Sequence, residues 1–230
     1  MPAASPAATR LAAIIGVAPE GFRIIAGIAG FGVIALVGGG LILGYWSAGI
    51  AIIAAAAIVG AFFRDPERTS AAPDGAIVSA ADGKVSHIGD ASLPGGDSAE
   101  TCRKVSVFMS PLDVHVNRAP IAGEVARIAH TDGVFRAAFR DDASEYNERN
   151  LVLIAGADGK THAVVQVAGY LARRIVCRLR EHQRVARGDR IGLIMFGSRV
   201  DHFVPPGYRV TVKIGDRVRA GESIIGELDR

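Results

Sequence analysis

The sequence predicts a mainly β protein: a sandwich-like or barrel-sandwich β domain preceded by an N-terminal hydrophobic helical hairpin. Three observations predict it. No charged residue occurs between Arg23 and Arg64, in a chain where 21% of residues are charged, and that gap is long enough for two apolar helices. From Pro73 onward, short runs rich in branched residues are separated by Gly, Asp and Pro, the punctuation of strands and turns. Finally, Val185-x-x-Gly188-Asp189-x-Ile191 is matched in frame by Val218-x-x-Gly221-Glu222-x-Ile224, a small internal repeat.

Taken in order, residues 1–20 contain Pro2, Pro6, Pro19 and a run of alanines and are expected to be a flexible tail. Residues 21–63 are expected to associate with a membrane as helical segments. The first half, Ile24 to Gly44, is rich in Gly; the second, Ala48 to Phe63, is rich in Ala and Ile and short for a full crossing, with a joint around Tyr45-Trp46-Ser47. Arg10 and Arg23 precede the block and Arg64 and Arg68 follow it. Basic flanks at both ends put both on the cytoplasmic side if the hairpin crosses. The block is too long for a cleaved signal peptide and lacks a cleavage site at its end.

Residues 64–230 are expected to form the β domain. Its strand-like runs are Lys104 to Met109, Leu151 to Ile154, His162 to Val167, Arg174 to Cys177 and Tyr208 to Ile214, with one helical turn near Ser144 to Glu148. The repeated apolar-Gly-acidic hairpins look like those of lipoyl and biotinyl barrel-sandwich domains, but neither has a lysine in its turn to carry such a group.

Composition narrows the function. The formal net charge is +3, and Arg10, Arg23 and Glu20 leave +2 for residues 64–230. That is mild attraction for an anionic membrane surface and too little for a nucleic-acid partner. Cys102 and Cys177 offer neither zinc spacing nor a disulfide framework, as suits a reducing compartment, and no metal site is expected.

The chemistry is sought where the apolar run from Arg190 to Pro205 breaks at Gly197-Ser198. Gly197 lacks a Cβ, so a neighbouring group can come close to its carbonyl. A serine hydroxyl there can attack that carbonyl if a base takes its proton and donors hold the oxyanion. The resulting ester can be expelled by β-elimination. Residue 198 then becomes dehydroalanine, and hydrolysis leaves a pyruvoyl group on a new chain of residues 198–230. The two residues alone are equally a strand bend. Ala81-Asp82-Gly83-Lys84 offers a carboxylate, although its copy at Ala157-Asp158-Gly159-Lys160 lies between strand-like runs and reads as a hairpin turn. His115, in a segment bracketed by Pro111 and Pro120, is the acid-base candidate, being the side chain that titrates near neutrality. His87, His130, His162, His182 and His202 have no comparable setting. Asp82, His115 and Ser198 together are the parts of a carboxylate, base and nucleophile relay.

A resemblance sharpens this. Phe62-Phe63-Arg64-Asp65-Pro66, Ala80-Ala81-Asp82-Gly83-Lys84-Val85, the run from Phe108 to Arg118, Tyr146-Asn147-Glu148-Arg149-Asn150, Ala172-Arg173-Arg174-Ile175-Val176 and Phe196-Gly197-Ser198-Arg199 occur in that order. Together they resemble the short-form phosphatidylserine decarboxylases over roughly residues 60–215. The resemblance implies a proenzyme cut between Gly197 and Ser198 into a β chain of 1–197 and an α chain of 198–230. The α chain would begin with a pyruvoyl cofactor made from Ser198, to which the substrate amine joins. Asp82 and His115 match positions implicated in the self-cleavage. A phospholipid substrate, the membrane and the two chains of one precursor are the implied partners, with homo-oligomers left open. The expected product is phosphatidylethanolamine, formed at the cytoplasmic face of the cell membrane. Three rival readings stand beside it: decarboxylation of an ether-linked serine lipid, of a soluble amino acid, or a non-enzymatic membrane-anchored β module. The chain departs from long-form relatives in reading Gly-Ser-Arg at the junction and in carrying Arg118 where those have a second histidine, so His115 is expected to serve alone.

Overall fold

The computed structural model describes residues 6–39, 46–95, 101–133, 146–169, 174–195 and 198–229. Two compact units divide between Glu67 and Arg68. In the first, the stretch expected to be a tail carries helix α1 (Pro6–Ile14), followed by α2 (Pro19–Ile34), a π-helical turn (Ala35–Gly39) and α3 (Trp46–Phe62). Pro19 opens α2, where its missing N–H costs no intrahelical bond, and Glu20 lies in the first turn at the positive end of the helix. Helices α2 and α3 pack through small residues. A Cβ on Gly32 would lie 2.9 Å from Ile53, and one on Gly49 would lie 2.4 Å from the backbone of Leu36, so either side chain would force the helices apart.

Both ends of this hairpin are tied together. Ala18 N–H donates to the Phe63 carbonyl and Asp65 N–H to that of Gly16, each at 2.7 Å, and Val17 bridges Arg64. The chain therefore enters and leaves the hairpin at the same end. Residues Pro19–Gly39, 21 in number with mean hydropathy 1.9, are long and apolar enough to cross a membrane, whereas Trp46–Phe62 is apolar but shorter. Phe31, Ile34, Ile50 and Ile58 are exposed on this unit.

The second unit is built of strands. They are β1 (Ile77–Val78), β2 (Gly83–Ser92), β3 (Thr101–Met109), β4 (Val116–Arg118), β5 (Gly123–Thr131), β6 (Arg149–Gly156), β7 (Thr161–Val167), β8 (Ile175–Cys177), β9 (Arg184–Val185), β10 (Arg190–Ile194), β11 (Ser198–Val204), β12 (Tyr208–Val210), β13 (Arg217–Val218) and β14 (Ile224–Leu228). Eight form one curled sheet in the order β13-β2-β3-β11-β7-β6-β5-β9, and two three-stranded sheets, β1-β14-β12 and β4-β10-β8, complete the unit. Val85, Val105, Val107, Val125, Val152, Ile154, Val164 and Val200 from the large sheet meet Ile191, Ile194 and Ile225 from the small ones in one buried core. β-branched side chains suit this role because they pack well on a pleated surface.

The internal repeat is visible as paired hairpins. Gly188 N–H donates to the Ala119 carbonyl while Ala119 N–H donates to Asp189; Gly221 N–H donates to Ser79 while Ser79 N–H donates to Ser223. Both glycines have left-handed φ, 89° and 77°. The expected strand Tyr208 to Ile214 is shorter, because the Asp216 carboxylate accepts from Lys213 N–H and folds residues 213–216 into a turn. Of the helical turn expected near Ser144 to Glu148, Ser144 lies outside the described residues. The second Ala-Asp-Gly-Lys is the hairpin turn expected, with Gly159 at φ 74° between β6 and β7. Its Asp158 accepts from Tyr208 Oη at 2.7 Å and bonds His162 Nε2 at 3.0 Å, and the Lys160 amine donates to the Pro206 carbonyl.

Candidate active site

The three expected residues come from three adjacent strands at one end of the sheet. Strand β11 begins at Ser198, whose register partner is Met109, the last residue of β3. His115 follows six positions further on. Lys84, near the start of β2, is paired with Phe108 of β3, and Asp82 immediately precedes β2. Neighbouring strands lie about 4.8 Å apart, so the antiparallel register alone gathers Asp82, the β3 exit and Ser198 at one edge of the core. Gly83 makes the junction tight. A Cβ there would lie 2.1 Å from the Phe108 carbonyl oxygen, so Gly83 is required by close approach and opens a strand, unlike its hairpin copy Gly159.

Ser198 is fully buried, and its hydroxyl has no hydrogen-bond partner among the described residues. A buried hydroxyl left without a partner costs about 1–3 kcal/mol. Gly197 and Phe196 lie outside the described residues. On β11, alternation sets Ser198, Val200 and His202 on one face and Arg199 and Asp201 on the other. Arg199 Nε lies 2.9 Å from Asp201 Oδ1, both side chains being buried. The arginine that distinguishes this junction thus has its counter-charge two residues along the same strand.

His115 is 1% exposed. Its Nδ1 lies 2.9 Å from the Asp113 carbonyl. Since a carbonyl can only accept, Nδ1 carries the proton, so the lone pair is on Nε2 whenever the ring is uncharged. The turn before it is fixed by Asp113, whose Oδ2 accepts from Ser110 N–H and Oγ–H at 2.8 and 2.7 Å, and whose Oδ1 accepts from Arg217 at 3.3 Å. Rigidity expected from the two prolines is supplied in good part by this carboxylate.

Asp82 is held differently from the relay expectation. Its carboxylate takes a two-pronged pair from Arg68, at 2.5 and 2.9 Å, and the Ala220 N–H at 2.7 Å. Arg68 also donates to the Ala220 carbonyl at 2.9 Å. No hydrogen bond joins Asp82 to His115 among the described residues. The node instead ties the segment after the hairpin, the loop before β2 and the β13–β14 turn together. Arg118, in the position of the second histidine, reaches the Gly188 carbonyl at 3.0 Å and secures the β9–β10 turn.

His202, assigned no special setting from sequence, is part of the same framework. Ala80 N–H donates to its Nε2 at 2.7 Å, and its Nδ1–H donates to the Val105 carbonyl at 3.1 Å. Strand alternation from Ser198 was the available signal. A second buried element runs beneath Met109: Asn150 Nδ2 donates to Gln166 Oε1 at 3.0 Å, Gln166 Nε2 to Asn117 Oδ1 at 2.8 Å, and Asn117 Nδ2 reaches Met109 Sδ at 3.5 Å.

Burial pushes the His202 imidazole down to about 4, with weaker opposing effects from the Val105 carbonyl and Asp201. An unfolded histidine titrates near 6.5, so between about 6.5 and 4 the unfolded chain takes up the proton and the folded chain does not. The contribution to stability is full above pH 6.5 and is lost as pH falls toward 4, about 3 kcal/mol in all. His202→Gln should therefore be less stable at pH 7 yet lose less than the parent between pH 7 and 5, read as thermal midpoints in detergent. Parallel losses in the two proteins would remove His202 as the sensitive group.

Comparison with known proteins agrees with this architecture. Residues 55–226 match the family model described as phosphatidylserine decarboxylase. The chain is 50% identical over 171 residues to the phosphatidylserine decarboxylase proenzyme of Saccharopolyspora erythraea, covering 74% of this chain and 72% of that one. It is 47% identical over 165 residues to the proenzyme of the same name from Syntrophus aciditrophicus, covering 72% and 77%, and 48% identical over 167 residues to that of Magnetococcus marinus, covering 73% and 76%. The chain is a decarboxylase and belongs to the phosphatidylserine decarboxylase family.

Proposed function

We propose that the chain is a proenzyme that cuts itself between Gly197 and Ser198, converts residue 198 to a pyruvoyl group, and then decarboxylates phosphatidylserine to phosphatidylethanolamine. The observation that carries the reading is the buried Ser198 hydroxyl, without a hydrogen-bond partner among the described residues, paired in register with Met109 at the β3 end from which the chain runs on to His115. In the first step His115 Nε2 takes the Ser198 proton as Oγ attacks the Gly197 carbonyl carbon. The peptide C–N bond breaks as its nitrogen regains a proton, leaving an ester. Asp82, engaged by Arg68 and Ala220, acts by position: it orders the loop that delivers Ala80 to His202 and seats β2 on the β3 exit.

The residues around position 198 suit a carbonyl group. The position is fully buried beside Met109 and Val200, so a group there is screened from water, and no side-chain hydrogen bond among the described residues need be broken to form it. Once made, the carbonyl supplies the electron sink for loss of CO₂. His115 returns a proton to the substrate carbon that has lost its carboxylate. The polar chain Asn150–Gln166–Asn117 stiffens the floor under Met109.

The apolar hairpin, with both ends at one side and basic flanks Arg10, Arg23 and Arg64, supports attachment to the cell membrane with the β unit at the cytoplasmic face. Retention through salt and alkaline washes is the expected outcome, and release by high salt alone would show attachment by charge.

Intact mass with N-terminal sequencing tests the reading. Two chains breaking before Ser198, the smaller without a free amino terminus, are expected. An intact single chain after complete maturation favours a non-enzymatic module, and a smaller chain that sequences from Ser198 removes the pyruvoyl group from the account. Competition between ester- and ether-linked serine lipids distinguishes the two substrate classes, and activity undiminished without lipid or detergent would favour a soluble amino acid.

A further inference from the structure

Two of the most exposed large apolar side chains in the β unit lie along one edge of the sheet, beside the site. Leu112 is 84% and Ile214 61% exposed. Leu112 stands in the turn between β3 and His115; Ile214 stands in the turn that leads into the edge strand β13. The two turns are linked, since Arg217 of β13 bonds Asp113 at 3.3 Å. The 213–216 turn sits on β2 through Gly215 N–H to the Val85 carbonyl at 2.8 Å. Half-buried Phe108 lies on the same strand ends.

The exposed charge around these side chains is mainly basic, although Arg217 is paired with Asp113 and Arg219 with Glu222. Lys84, Lys213, Arg217 and Arg219 are all exposed. Lys84 and Arg217 are direct cross-strand partners, a like-charge pairing that Asp113 answers from the Arg217 side at 3.3 Å and that a further anion beside Lys84 would relieve. The neighbouring acids turn inward: Asp113 caps Ser110, Asp216 caps Lys213 N–H at 3.0 Å, and Glu222 lies between Arg68 and Arg219 at 3.7 Å from each. Exposed apolar tips ringed by cations match an anionic lipid surface, where the tips enter the acyl boundary and the cations meet phosphate and carboxylate.

We infer that the edge formed by Leu112, Ile214, Lys84, Lys213 and Arg217 is a second membrane-docking surface, separate from the hairpin, that seats the β unit on anionic headgroups with the Ser198 end of the sheet toward the lipid. It rests on the proposed reading in that the substrate is itself an anionic headgroup, presented at the end of β3 where Ser198 and His115 lie. Its occupant is a bilayer surface rather than a protein, because among the described residues the exposed basic side chains surround two apolar tips and no broad apolar face.

The test uses the full chain in nanodiscs. Trp46 is the single tryptophan, so Trp46→Phe with Leu112→Trp makes position 112 the only emitter. In nanodiscs of anionic lipid with brominated acyl chains, emission should shift to the blue and be quenched. Both effects should be lost in neutral lipid, in 1 M salt, where screening acts within about 3 Å, and in Lys84→Glu/Lys213→Glu. Emission at position 112 identical in anionic and neutral discs would overturn the inference, as would a blue shift that depends on protein concentration, which would assign the edge to a second copy. Because quenching is also read on a Ser198→Ala background, it is independent of turnover. Docking with no decarboxylation would fault the proposed activity alone, and decarboxylation with no docking would fault this surface alone.

Discussion

Ser198→Ala is expected to yield one uncleaved, inactive chain at least as stable as the parent. In the proposed self-cleavage the hydroxyl is the atom that attacks Gly197, so its removal should abolish the first step outright. Because it makes no hydrogen bond among the described residues and is fully buried, its loss leaves none of them with an unsatisfied partner. The variant should therefore fold, which separates chemistry from structure. Ser198→Cys is expected to cleave slowly, since a thiol also makes the acyl shift. Intact mass after prolonged incubation reads both, and a Ser198→Ala preparation that still breaks before residue 198 would move the cleavage to another nucleophile or an outside protease.

His115→Ala should slow cleavage by about 10²- to 10⁴-fold, the contribution of a positioned acid-base group, and chains that do mature should still decarboxylate poorly. Asp82→Asn should impair maturation while sparing the finished enzyme more. Its effect has a structural part: it takes from Arg68, whose side chain is 9% exposed, its nearest counter-charge and leaves Glu222 at 3.7 Å, and breaking a buried pair costs up to about 3–5 kcal/mol. Arg68→Met with Asp82→Leu removes both charges together. Recovery of maturation in that double variant relative to Asp82→Asn is expected if the carboxylate works by holding the loop. No recovery would mean that the carboxylate acts on the reacting groups. Precursor and product on a gel, with CO₂ release normalised to mature chain, read every case. Normal maturation in both His115→Ala and Asp82→Asn would overturn both roles.

Local pattern made much of this molecule legible. Strands β3, β6 and β7 announced themselves through branched residues between turn formers, and the hairpin through a long uncharged block. Partner choice was not legible, because it is made by contacts far apart in sequence. The two Ala-Asp-Gly-Lys copies show the limit: four identical residues form a hairpin turn at 157–160 and a strand entrance at 81–84, where the Phe108 carbonyl presses on Gly83. Arg68 illustrates the same thing for the site. As one charge in a membrane-exit run it looked like a topology signal, and only the tertiary fold brings it to Asp82 and to Ala220, 152 positions away. His202 was passed over because its partners are backbone groups of Ala80 and Val105, which no side-chain motif advertises.

The central place of β11 has a consequence for the life of the molecule. It is hydrogen-bonded to β3 on one side and β7 on the other, and Tyr208 clasps Asp158 beyond its end. A chain cut before Ser198 keeps its smaller product threaded through the middle of the sheet, unable to leave without opening the core. The uncut precursor folds as a single molecule at a rate independent of concentration. Once cut and unfolded, the two pieces must find each other by diffusion, and the larger would meet water with the seat of β11 empty and two strand edges bare, a template for aggregation. Maturation would thus exchange reversible folding for persistence governed by the rate of opening alone, and dilution after denaturation should rescue the precursor far better than the cut enzyme.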